Sequence, residues 1–285
     1  MNRHLIISLL TALVSLTAKA SEDTDSLKII RPVTSAYTIE AGSAKITDTY
    51  LSPLKYTGET FAFGYERFQA MKFNPEKWIM QLRIYAGLDY TESPAQNVNM
   101  WGFGLSASWD MMRRYTVTDG LKLAAGGITS LNLGALYSTR NGNNPTSAKA
   151  SWNVGLTGMA TYSLKIKSLP ITLRYQPTLP LAGTFFATEY DQLYYEIYRG
   201  DTKGIMHFSH PFNYFQFDNV LTADIRFGST ALRIGYHGII TSTKAHHIVC
   251  NMSTHSLVIG ISGEWISLHS SKKITDDTKI ISAYY

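Results

Sequence analysis

From position 80 to 89 every second residue is apolar, and Trp78 extends that face. Trp78, Met80, Leu82, Ile84, Ala86 and Leu88 share one face; Gln81, Arg83, Tyr85, Gly87 and Asp89 share the other. The same period of two returns at 101–111, where Trp101, Phe103, Leu105, Ala107, Trp109 and Met111 oppose Gly102, Gly104, Ser106, Ser108 and Asp110. At 152–167, Val154, Leu156, Ala160, Tyr162, Leu164 and Ile166 oppose a face of Asn153, Gly155, Thr157, Thr161, Ser163 and Lys165. Successive side chains of a strand point to opposite faces, whereas a helix repeats every 3.6 residues, so these segments are strands. Along the whole chain the pattern predicts ten of them, near 34–45, 58–70, 78–90, 100–113, 120–137, 149–167, 171–179, 213–227, 231–242 and 254–267.

The predicted connections alternate in length. Those around 73–75, 115–119, 167–170 and 228–230 are short; those around 52–53, 91–96, 139–146, 180–212 and 243–251 are mostly longer. Short turns at one end and long loops at the other are the arrangement of an all-β, antiparallel up-and-down transmembrane barrel, with N- and C-termini in the periplasm. The segment 180–212 is long enough for a further hairpin, which would give twelve strands; it is otherwise an extracellular loop or a plug folded into the lumen. The tail 269–285 carries Lys272, Lys273, Asp276 and Asp277 before an apolar, aromatic end. It reads either as a loose periplasmic end or as the last strand of the twelve-strand version.

A soluble sandwich also alternates, so membrane insertion is argued from strand length, from the Gly/Ser-rich second face that suits a narrow lumen, and from the start of the chain. Arg3 and His4 precede an apolar run at 5–16 that ends in Ala18-Lys19-Ala20, the pattern of a secretory signal peptide over 1–20. Residues 21–285 then form a single domain in the outer membrane of a Gram-negative bacterium. No later stretch of eighteen apolar residues exists, which excludes a membrane-spanning helix. Trp101 and Trp109, eight residues apart on one face, are placed to frame the apolar belt. Without Arg3 and Lys19 the net charge falls from +5 to +3, too small to indicate a charged partner. One cysteine, Cys250, gives no internal disulfide. The expected partners are membrane lipids and, during insertion, the barrel-assembly machinery.

The inward positions include Glu66, Arg83, Asp110, Arg174, Asp224 and Arg233, and also Glu40, Asp89, Lys165, Asp218, Arg226, His237 and Glu264. In a lumen this narrow, charges of both signs are expected to pair across the barrel and close it, which argues against a general porin. A narrow channel requires them to leave a wet path.

Outside the strands three groups carry possible chemistry. Asn141, Asn143 and Asn144, beside Gly142 and Pro145, form a turn whose glycine and asparagines tolerate positive φ; their amides are candidates to contact a surface glycan or lipid headgroup. Tyr194, Tyr195 and Glu196 either line a pocket or pack the long loop against the rim. His207-Phe208-Ser209 puts an imidazole and a hydroxyl on one face of an extended chain, the geometry of an activated nucleophile, with Asn213 or Glu196 as a possible orienting group. It is similar to the His-x-Ser pair of some outer-membrane lipid hydrolases, which makes a lipid esterase or deacylase the alternative function. His246-His247 lacks the acidic or cysteine neighbours of a metal site, and neither a phosphate-binding glycine loop nor a basic aromatic stripe is present. No cofactor, metal or nucleic acid is expected.

The segment Arg140-Asn141-Gly142-Asn143-Asn144-Pro145 with Ser147-Ala148-Lys149, the Tyr194-Tyr195-Glu196 core, Tyr50-Leu51-Ser52-Pro53-Leu54 and Tyr65-Glu66-Arg67-Phe68 together resemble an uncharacterised Bacteroidetes-type outer-membrane family, domain of unknown function 3316. The resemblance covers nearly all of the mature chain and implies location and architecture, with no reaction. Asp191 and Leu193 stand where the family pattern has Gly and Ser, so no role is carried onto them. The function expected is a binding or structural barrel that meets a glycan, lipid or protein at its outer loops.

Overall fold

The computed structural model describes residues 28–142, 144–190, 194–200, 202–266 and 278–285. The signal segment 1–20 and Asn143 lie outside these residues. The strands are β1 (Lys28–Ile30), β2 (Val33–Asp48), β3 (Ser52–Ala70), β4 (Trp78–Glu92), β5 (Asn99–Thr118), β6 (Leu121–Ser138), β7 (Thr146–Ile166), β8 (Leu169–Phe186), β9 (Met206–Ser209), β10 (Tyr214–Phe227), β11 (Thr230–Ala245), β12 (Ile248–Trp265) and β13 (Thr278–Ile280). One short helix, α1, spans Tyr194–Tyr198.

Ten long strands, β2 to β8 and β10 to β12, pair antiparallel in chain order. The ring closes twice over: β12 pairs with β2 from Cys250↔Asp48 to Trp265↔Val33, and β8 pairs with β10 from Thr178↔Asp218 to Ile171↔Ile225. A closed ring leaves no sheet edge, so every strand finds its backbone partners within the barrel, as a bilayer demands. The hydrophobic pattern is turned inside out relative to a soluble protein. Ile39, Phe63, Leu105, Trp152, Leu156 and Ile259 are among the outward side chains, with Ile39 at 69% and Leu156 at 58% exposure. In the middle of the barrel the inward positions are mostly charged, amide- or hydroxyl-bearing, or glycine.

Four connections, at 71–77, 119–120, 167–168 and 228–229, meet at one end, the short-turn end. Positive φ at Gly120, Lys167 and Gly228 lets the chain reverse within two residues. The other five connections lie at the loop end. One expectation fails there. The connection predicted across 243–251 is a two-residue turn, because His246 (φ 47°) and His247 (φ 64°) adopt the left-handed conformation that a tight hairpin needs.

The long segment also differs from the prediction. β8 runs on to Phe186, and among the described residues the one strand between it and β10, β9, pairs with the last residues of β8. Ten strands therefore stand and the twelve-strand version does not. The segment lies over the loop end, and a plug enters from the opposite end. β13 pairs in parallel with β1 (Lys28↔Thr278 to Ile30↔Ile280), outside the ring, and residues 281–285 then turn into the lumen. Residues 278–285 are thus neither loose nor a spanning strand; 269–277 lie outside the described residues.

Candidate functional site

The lumen is built in layers. At the short-turn end Phe68, Ala70, Ile79, Met112, Ala124 and Met159 point inward and pack against Ile281, Ala283 and Tyr284 of the tail. Arg114 holds the tail by donating to the Ser282 carbonyl at 2.7 Å, and Ile281 N–H donates to Ile30 O at 2.9 Å. Tyr284 is buried, its ring 4.9 Å from Phe68 and beneath the guanidiniums of Arg174 (5.7 Å) and Arg233 (5.5 Å).

Those two arginines begin the charged layer. Arg174 grips Glu66 with two hydrogen bonds (2.9 and 3.1 Å), and Arg233 donates to Glu66 at 2.5 Å. Arg233 also makes a two-point contact with Asp224, both bonds 2.7 Å. Arg174 and Arg233 are each 1% exposed. Beside them Gln176 donates to Gln81 (2.6 Å) and, more weakly, to Asp110 (3.4 Å). One layer up, Arg83 pairs with Asp218 at 2.5 Å, and His237 lies between Glu40 (Nδ1, 2.8 Å) and Asp218 (Nε2, 3.1 Å). With a carboxylate on each ring nitrogen, both must donate, so this imidazole has no lone pair free for base catalysis. All six inward charges Glu66, Arg83, Asp110, Arg174, Asp224 and Arg233 lie in this network. One further expectation fails: Lys165 is exposed, because it sits too close to the turn between β7 and β8 to reach the interior, whereas Arg226 stacks at 4.3 Å on Tyr285 of the tail.

At the loop end Ile46, Leu51, Tyr56, Val98, Met100, Leu136 and Cys250 form a second apolar plug. Next to it Lys149 pairs with fully buried Asp48 at 2.7 Å, and Asp48 also accepts from Tyr50 N–H at 2.9 Å. The predicted strand at 34–45 stops three residues short of Asp48, whereas Lys149 is the first residue of its predicted strand; continued to 48, the alternation turns Asp48 inward.

The loop candidates clasp one another over this plug. Asn141 donates its amide to Leu51 O at 3.1 Å, which commits that group to structure. Asn144 takes positive φ (51°), as expected of an asparagine in the turn. The Tyr194 hydroxyl accepts from Ala148 N–H at 2.7 Å, so it pins α1 to β7. Tyr195 is exposed under the Arg199 guanidinium, and Glu196 is on the exposed face of α1; the three residues lie outside the lumen cavity. Tyr190 stacks on Tyr50 and donates to Thr49 O at 2.7 Å.

His207 and Ser209 share the inward side of β9, as the spacing predicted, but they form no dyad. Ser209 Oγ donates to Asn153 Oδ1 at 2.5 Å, and the His207 ring packs instead on Phe185 (5.3 Å) and edge-on to His246 (4.6 Å). Asn213 bonds to backbone at His210 and Phe208. Burial and the neighbouring His246 hold the His207 imidazole below its ordinary range. His246 has the acidic neighbour that the sequence reading denied it: Nδ1 meets Glu189 at 3.0 Å, and Nε2 meets Gly204 O at 3.0 Å. Among the described residues no group of three His, Cys, Asp or Glu is placed to hold a metal.

No curated protein matches the sequence. Among solved structures, the outer membrane protease OmpT from Escherichia coli is similar at 6% identity, with TM-score 0.48, covering 88% of this chain and 100% of that one. The translocator domain of the autotransporter NalP from Neisseria meningitidis is similar at 10% identity, with TM-score 0.35 and coverage of 92% and 95%. The transport unit of the autotransporter AIDA-I from Escherichia coli is similar at 9% identity, with TM-score 0.39 and coverage of 91% and 97%. At such identities what this chain does has to be read from its own residues. The family model described as "Protein of unknown function (DUF3316)" matches residues 5–272, nearly the whole sequence, and the chain belongs to that family.

Proposed function

We propose that this protein is an integral outer-membrane barrel that does not conduct solutes and that serves as a binding or structural element, meeting a ligand or partner at its loop end. A signal peptide over 1–20 is removed on export, the short-turn end faces the periplasm, and the ring of outward apolar side chains sits in lipid. The observation that carries the reading is what crosses the lumen: apolar clusters towards both ends and a layer of mostly paired charges between them. A channel needs a continuous wet path, and buried charges that hold one another do not supply one. The loop end offers recognition surface instead, since Tyr195, Tyr198, Phe208 and Phe212 are exposed on the long segment, with Phe212 at 92%. Exposed aromatics of this size are what contact sites use. Glycans, lipids and proteins are all within reach of such a surface.

The test is conductance of the purified barrel in planar bilayers, run beside mass spectrometry of phospholipids and lipid A incubated with the wild type and Ser209→Ala. Silence in the bilayer and intact lipids are expected. Unitary currents would replace the reading with a channel, and lipid cleavage lost in Ser209→Ala would replace it with a hydrolase.

A further inference from the structure

Between the charged layer and the loop-end plug the lumen is not filled. A cavity of about 230 Å³ remains there. Three inward glycines, on β3, β5 and β6, border it, and they differ in kind. A Cβ at Gly134 would collide with the Phe103 carbonyl and one at Gly64 with the Thr38 hydroxyl, so those two are glycine for lack of room. At Gly104 nothing lies within 4 Å of where a Cβ would be. Glycine inside a strand costs stability and forgoes packing. At Gly104 that cost has no steric excuse; what the missing side chain leaves is the open space itself.

The walls of the space are two-sided. From β10, β11 and β12 come the apolar side chains Val220, Ile239, Met252 and Val258. Facing them, a hydrogen-bonded chain runs from Asn132 to Ser151 (3.1 Å), on to Tyr214 (2.9 Å) and to Gln216 (2.9 Å). Below, Arg83, Asp218, His237 and Glu40 are already paired among themselves. Ser108 lines the cavity at 5% exposure, and its hydroxyl has no hydrogen-bond partner among the described residues, a state it shares with the lining hydroxyls of Tyr85 and Thr241.

Filled with water, the space would take roughly eight molecules at ~30 Å³ each, every one needing two to four polar partners. Walls made mainly of carbon, with their charged groups engaged with one another, hold such waters badly, and an apolar guest gains by displacing them. A cavity of about 150 Å³ is enough for benzene, so this one has room for a second fused ring. The balanced charges below give no reason to prefer an ion. We infer that the cavity is a binding chamber for a compact, uncharged, mainly apolar molecule of one to two fused rings with a single hydrogen-bonding group, which the Ser108 hydroxyl receives. The inference rests on the closed-lumen reading above.

Indole is the probe. Titrated by calorimetry into the barrel in nanodiscs, with empty nanodiscs as the blank, it is expected to bind saturably at one equivalent. Gly104→Val and Gly104→Phe fill the space in steps. They are expected to weaken binding progressively, by about tenfold or more for Phe, while the urea midpoint of unfolding stays at or above that of wild type. Ser108→Ala, which leaves the volume unchanged, is expected to weaken binding by roughly threefold or more through the lost hydrogen bond. No saturable binding to the wild type, or equal binding to wild type and a folded Gly104 variant, overturns the chamber. A bilayer recording on the same preparation separates the two failures: currents would sink the closed lumen, whereas a silent barrel that ignores indole would sink the chamber alone.

Discussion

The Glu66 carboxylate is the single acceptor that joins two buried guanidiniums, so Glu66→Gln isolates what the charged layer is worth. Glu66 receives two hydrogen bonds from Arg174 and one from Arg233. After the change Arg233 keeps its two-point contact with Asp224. Arg174 is left with neutral company: Thr222 Oγ1 at 3.2 Å and the ring faces of Phe68 and Tyr284. Stripping one partner from a buried pair costs about 3–5 kcal/mol. The glutamine carbonyl still accepts a hydrogen bond, which sets the expectation at the lower end, about 3 kcal/mol, or a loss of roughly a hundredfold in the folded-to-unfolded ratio. The assay is equilibrium urea unfolding in lipid vesicles followed by tryptophan fluorescence and extrapolated linearly to water. The double variant Glu66→Leu/Arg174→Leu removes both charges of the pair and is expected to be more stable than Glu66→Gln by at least about 1 kcal/mol, because paired buried ions roughly break even against apolar side chains. A Glu66→Gln barrel within 1 kcal/mol of wild type, or a double variant weaker than the single one, would refute this account of the layer.

Three further outcomes are expected. Removing residues 281–285 takes away the buried Ile281 and Tyr284 and should lower stability by about 4 kcal/mol, at ~2 kcal/mol for each large apolar side chain; the same urea titration decides, and a change under 1 kcal/mol rules out the plug as a packed element. Cys250, 4% exposed under the loop-end plug, should resist maleimide in the folded barrel and react fully in urea, as read by mass spectrometry; rapid native labelling would contradict a sealed loop end. His207 has a lowered folded pKa, so the folded segment binds fewer protons than the released one. Its ordering is therefore complete above the ordinary value of 6.5 and weakens as pH falls below it. Hydrogen exchange of 204–209, corrected for intrinsic rate, should accelerate on acidification in the wild type and much less in His207→Gln; an equal response in both would show that the neighbouring His246–Glu189 pair sets the pH dependence instead.

The membrane-embedded part of each strand was legible because lipid enforces it: where one face must be apolar and the other must not, a shift of one residue exchanges the two. Beyond the bilayer that pressure ends. β3 begins at Ser52 and not near 58, because Lys55 and Thr57 leave its outer face polar there, and period two no longer shows. β8 is cut short at 179 in the sequence pattern because Pro180 reads as a stop. Pro180 instead sits at a register shift opposite Val154 and Gly155, where a missing N–H costs the ladder little.

For the site, the inward direction of Glu66, Arg174, Asp224 and Arg233 followed from parity alone. Their partners did not. Glu66 and Arg174 lie 108 residues apart on strands that face each other across the lumen, and that meeting depends on how the ring closes. His207 and Ser209 show the reverse: spacing put them on one side of β9, and the hydroxyl was taken by Asn153 from β7, which no local pattern reveals. The apolar end of the tail was visible as well, but a strand and a plug have the same composition.

The seat of residues 281–285 is assembled from Phe68 on β3, Arg174 on β8 and Arg233 on β11, three places that come within reach of one another only when the ring is shut. The tail cannot dock on a half-built sheet, so its docking marks the end of assembly. A protease cut between β12 and Ile281, followed over time during insertion, would act as a clock for barrel closure, readable without any label on the strands.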